Sequence, residues 1–78
     1  MTTQRFRVLV EWDAGDRVWV TTVPALDGLS TYGESREEAI EQTREAILGY
    51  LEAAEKEGLP APIDDGEIEL VEVEVATA

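Results

Sequence analysis

Apolar and polar residues alternate along the first stretch of the chain. Phe6, Val8, Val10 and Trp12 fall on one face, and Arg5, Arg7, Leu9 and Glu11 on the other. A period of two, rich in β-branched and aromatic residues, predicts a strand over about 4–12. Asp13-Ala14-Gly15-Asp16 reads as a turn, and 17–23 as a second β-rich run, so the pair predicts an antiparallel hairpin. Val18 and Val20 lie on one side of the second strand, Trp19 and Val23 on the other. Such a strand needs both faces covered, or keeps one for a partner. Pro24 has no N–H to donate and ends the run. Asp27-Gly28 turns the chain, 29–32 is a short third strand, and Gly33 breaks it.

At Ser35 the period changes. Ser35 and Glu38 make an S-x-x-E capping box, with Glu37 and Glu38 suited to the positive end of the helix dipole. Ile40, Thr43, Ile47, Leu51 and Ala54 follow at spacings of three and four, widened by Ala39, Ala46 and Tyr50 into one stripe. Gly58 fits the stop and Pro60 lies just beyond it, which places the helix at about 36–57. Residues 59–66 are a connector stiffened by Pro60 and Pro62. Residues 67–75 predict a last strand with one slip: Ile68 and Leu70 are even, Val71, Val73 and Val75 odd. Either a bulge near Leu70-Val71 restores one apolar face, or the halves serve two surfaces, core and oligomer.

The order is β-β-β-α-β, an α+β class. It comprises an antiparallel three-stranded sheet, a final strand parallel to the first through a right-handed crossover, and one helix on one face. The second sheet face has no helix to cover it, which invites oligomerisation. At 78 residues the chain is one domain, spanning 1–78. A chain of 8.6 kDa is expected to keep roughly 4,700 Å² exposed and bury about 60% of its unfolded surface, a marginal core.

Charge narrows the function classes. Eighteen acids face six bases. Residues 1–39 hold seven acids and four bases, residues 40–78 eleven and two. Such a surface repels phosphate backbones, so no direct nucleic-acid binding is expected, and it favours encounter with a basic partner. No cysteine or histidine is present, which removes thiolate chemistry and the commonest general base and metal ligand. The middles of the first two strands carry no acids, and no phosphate loop occurs. No catalytic, cofactor or metal site is therefore expected, and the protein is not read as an enzyme. Neither a signal peptide nor a membrane span is recognised, so a cytoplasmic location is the default.

Two features stand as candidate partner-binding sites, each with a plainer structural reading. Glu34, Glu37, Glu41 and Glu45 form an acidic row at the helix start, which serves a basic partner or simply a solvated helix face. Trp12 and Trp19 sit on the hairpin; at least one should fill the core, and Trp19 is the one expected partly exposed or at an interface.

Residues 19–29, WVTTVPALDGL, with 31–39, TYGESREEA, and the helix and Gly58–Pro62 exit beyond them, resemble the HicB-like antitoxin family over roughly 6–62. The resemblance implies a β-β-β-α-β domain like a truncated ribonuclease H core. It also implies a non-catalytic protein that binds and masks a small basic HicA-type toxin, which cleaves messenger RNA. Many members carry a C-terminal DNA-binding module; this chain runs to Ala78 without one and reads as a single-domain member or orphan relative. The alternative is a self-assembling homo-oligomer, dimer or tetramer, holding a small ligand between subunits.

Overall fold

A computed structural model describes residues 3–78. The elements in chain order are β1 (Leu9–Asp13), β2 (Val18–Val23), a 3₁₀ turn at Pro24–Leu26, β3 (Leu29–Gly33) and the helix α1 (Arg36–Lys56). The sheet order is β1-β2-β3, antiparallel throughout. The architecture is thus α+β, with one helix against a three-stranded sheet.

Local chemistry explains each boundary. The Asp13 carboxylate accepts the N–H groups of Gly15 and Asp16 at 2.9 and 3.1 Å and closes the hairpin turn, so this side chain serves the backbone. Ser35 Oγ accepts the Glu38 N–H at 3.0 Å, which is the Ser half of the predicted box. At the other end Gly58 adopts φ +71°, and the N–H groups of Gly58 and Leu59 reach the carbonyls of Glu55 and Ala54. That double bond is a Schellman stop, and it needs a residue free to be left-handed.

The register puts Trp12, Val10, Trp19, Thr21, Val23, Leu29, Thr31 and Gly33 on the helix side. Val18, Val20 and Tyr32 face the other way. Helix α1 packs mainly on β3 and less on β2, and leaves β1 largely uncovered. The fully enclosed core is correspondingly thin: Val23, Leu26, Ala39 and Ala54, with Thr21 and Thr43 among them.

Two strand expectations are corrected. The first strand begins at Leu9 rather than near residue 4. Leu9 pairs with Thr22, so by the same register Val8 meets the last residue of β2 and Arg7 falls opposite Pro24, which offers no N–H. The expected fourth strand over 67–75 forms no ladder, and the sheet has three strands. The connector does run beside the N-terminal segment in the same direction: Gln4 Nε2 donates to the Pro62 carbonyl, and Arg7 reaches Asp64 and then Gly66. Beyond Gly66 the segment has apolar residues on both faces, while α1 leaves β1 largely uncovered. With one helix, a single copy cannot cover both.

The dimensions record the result. The radius of gyration is 15.2 Å, against about 11.5 Å for a compact chain of this length.

Candidate functional site

The structure separates a closed region from an open one. In the closed region, the hydroxyls of Thr21 (β2), Thr31 (β3) and Thr43 (α1) form a triangle. Its sides are 2.7 Å for Thr21–Thr31, 2.5 Å for Thr21–Thr43 and 2.8 Å for Thr31–Thr43. Thr43 also donates to the Ala39 carbonyl at 2.8 Å. A hydroxyl both donates and accepts, so three together satisfy one another without water. Among the described residues no buried side-chain polar atom is left unpaired. One end of this layer closes at Gly33, where an added Cβ would lie 2.5 Å from the Ala39 nitrogen. At the helix's far end, the Tyr50 hydroxyl donates to Asp27 at 3.0 Å, which raises the phenol's pKa and ties the Asp27-Gly28 turn to α1.

The sequence-predicted partner residues fall in two places. Glu34 precedes α1, and Glu37, Glu41 and Glu45 lie on its outward side, all exposed. Glu41 is ion-paired with Arg44, and Glu37 has Arg36 at 3.7 Å. Trp19 is half-buried on the helix side of the sheet, at the same end as its cross-strand partner Gly33. It packs edge-on against Trp12 with ring centroids 5.5 Å apart. Neither tryptophan is fully buried, and Trp12 is 49% exposed, so the expected core filler is absent and the pair is a surface feature. The row of glutamates and the tryptophans do not converge.

In the open region, the uncovered sheet face is the one the sequence leaves without a helix, whereas the clamp between Arg7 and Asp64 has no signal in the sequence. The Arg7 backbone N–H donates to Asp64 Oδ2 at 2.6 Å, Arg7 Nε to the same oxygen at 3.0 Å, and Nη2 to Oδ1 at 2.5 Å. These hydrogen bonds, side chain first and then backbone, hold the Asp64 carboxyl down to about 2, and the carboxylate in turn raises Arg7. Arg7 and Asp64 are 57 positions apart, and neither carries a local signal that would pair them. Beside this clamp lies an open groove of about 610 Å³ between residues 4–8 and α1, lined by Phe6, Val8, Ile40, Ile47 and Leu51, with Arg5 and Arg44 at its edge. A smaller recess of about 310 Å³ on the bare sheet face is lined by Val18, Val20 and Tyr32.

No helix among the described residues is long and apolar enough to cross a membrane. Nor do three His, Cys, Asp or Glu side chains gather there in a way that could hold a metal ion.

A small acidic α+β domain with surfaces suited to protein contact is the class these features define. The chain matches the family described as HicB_like antitoxin of bacterial toxin-antitoxin system over residues 6–75. It is 35% identical over 63 residues to UPF0150 protein Ta0767 of Thermoplasma acidophilum, covering 81% of this chain and 90% of that protein. The chain belongs to the HicB-like antitoxin family, which carries a role in a toxin–antitoxin system and a toxin partner as its class of function. No solved structure matches it.

Proposed function

We propose that this chain is a non-catalytic antitoxin that acts in the cytoplasm, binding and masking a small basic HicA-type toxin that cleaves messenger RNA. The observation that carries the reading is the exposed acidic row of Glu34, just before α1, and Glu37, Glu41 and Glu45 on its outward side, within a chain of net charge −12. A row of like charge on a helix steers a basic protein and raises the association rate more than the affinity. Trp19, packed against Trp12 on the sheet, offers a separate aromatic contact apart from the acidic row.

The experiment is titration of a purified HicA-type toxin with the chain, reading messenger-RNA cleavage. Cleavage should stop near equimolar antitoxin, and the triple substitution Glu37→Lys, Glu41→Lys and Glu45→Lys should slow association by about tenfold or more at low salt. Undiminished cleavage at excess antitoxin would overturn the reading.

A second reading, self-association into a dimer or tetramer, rests on a separate observation. The accessible surface is 6620 Å². That is roughly 1,900 Å² above the expectation for a compact chain of this mass. In this reading 67–75 becomes the fourth strand only on assembly, completing the sheet parallel to the first strand in the ribonuclease H-like order.

A further inference from the structure

We infer that residues 67–75 of one copy add as a strand along the open β1 edge of a second copy, and cover the groove between residues 4–8 and α1 there. The inference rests on the self-association reading and assigns its interface.

Each half of the contact is present and unmet in one chain. The donor half is an extended segment whose apolar residues face solvent: Leu70 is 91% exposed, Val73 77% and Val75 72%. Apolar groups so placed are stable only when something covers them. The family match runs to residue 75, so the segment belongs to the domain rather than following it. The acceptor half is the free edge of β1 together with the incompletely covered helix-side face of residues 6–12, where Phe6, Val8 and Val10 are half-buried and Trp12 is exposed. Helix α1 does not close over this face, and Phe6, Val8, Ile40, Ile47 and Leu51 line the resulting groove. An edge strand with unpaired N–H and C=O groups is a template for a further strand.

Charge chooses the occupant. Residues 67–75 carry Glu67, Glu69, Glu72 and Glu74 and no base. The groove carries Arg5, and Arg44, which it shares with Glu41, two of only six bases in the chain. An acidic, apolar strand is therefore matched to this groove, while a basic partner is not. The slipped alternation fits as well. Apolar residues on both faces suit a strand enclosed between two copies better than one on the rim of a single copy.

Area and symmetry agree. The excess exposed surface of roughly 1,900 Å² per chain exceeds the ~800 Å² per partner that a stable interface buries. Each copy offers one strand and one groove, so two reciprocal contacts close a twofold dimer with nothing left over.

The test is sedimentation velocity at tens of micromolar on the 78-residue chain and on Val71→Asp/Val73→Asp, with isotope-filtered NMR on a mixture of labelled and unlabelled chains. The wild-type chain should sediment at twice 8.6 kDa. It should also show intermolecular contacts from Val71–Val75 to Phe6 and Ile47. The double variant should be a monomer with its helix content unchanged by circular dichroism, because both positions lie outside the folded body. A wild-type monomer would overturn both this inference and self-association. A dimer that survives the substitutions, or contacts only within one chain, would overturn strand exchange and leave self-association standing.

Discussion

The layer formed by β2, β3 and α1 and the flank formed by residues 3–8 and 59–78 come from the same short chain, yet they are held in opposite ways. In the layer every buried side-chain polar atom among the described residues has a partner, the helix is capped at both ends, and the core residues touch across all three elements. In the flank the strongest contact is a polar clamp, Arg7 to Asp64, and the apolar side chains from Ile68 onward face water. The difference shows what a chain of this size can close unaided. One helix covers about two strands, and apolar surface beyond that must wait for a partner. Stability resides in the layer, while the flank and the outward side of α1 stay exposed.

The largest effect should follow from Gly33→Ala. The new Cβ would meet backbone, 2.5 Å from the Ala39 nitrogen and 2.9 Å from its Cα, and a backbone neighbour cannot rotate away. Overpacking of this kind costs about 1–3 kcal/mol, and a clash with backbone puts Gly33→Ala at the upper end, a large share of the stability of a small domain. The urea midpoint should drop accordingly, with the helical circular-dichroism signal lost in the same transition. NMR shifts of residues 67–75 under native conditions should stay put. If those residues respond as strongly as α1, the layer and the flank are one cooperative unit and the contrast fails.

A smaller effect tests how the layer is tied. Thr21→Val and Thr43→Val each remove one hydroxyl and leave the other two Thr side chains within reach of each other. Each should therefore cost about 1 kcal/mol. In the double variant only Thr31 keeps a hydroxyl, and it can still use the Ala39 carbonyl, 3.3 Å away. The two losses should thus couple rather than add. A double-mutant cycle on urea unfolding measures this, and strict additivity would mean that the triangle is three separate contacts.

Legibility from sequence divides along the same line. The helix was expected at 36–57 and lies at Arg36–Lys56 because its signals, Ser35 at one end and Gly58 at the other, act over three or four residues. The hairpin and the third strand were legible for the same reason, through Pro24, Asp27-Gly28 and Gly33. The acidic row could be placed on α1 as well, since helical spacing alone brings Glu37, Glu41 and Glu45 to one side. What was not legible depends on distant partners. Thr21, Thr31 and Thr43 look like ordinary β-branched or stripe residues until the sheet and helix bring them together. Residues 4–7 alternate as a strand should, but their neighbour β2 has already ended, at Val23. Residues 67–75 carry the apolar content of a strand but form no ladder, because alternation along a segment does not specify a neighbour for it to pair with.

The smallest effect isolates the flank. Asp64 is held at about 2 by Arg7, below its ordinary value of 3.8, so its contribution is fully present above that ordinary value. It should be lost as pH falls through about 2, when the carboxyl takes up a proton and stops accepting from the guanidinium. Arg7 stays charged throughout, so the transition belongs to Asp64. An NMR titration should show the Arg7 Nε and Asp64 resonances moving together with a midpoint near 2. Asp64→Asn should abolish that step and loosen residues 62–66 in hydrogen exchange, while amides of α1 around Thr43 keep their protection. A midpoint at the ordinary carboxylate value would mean that the clamp is a passing surface contact. A loss of α1 protection in Asp64→Asn would mean that the clamp supports the layer, and that the two regions are less independent than their contacts imply.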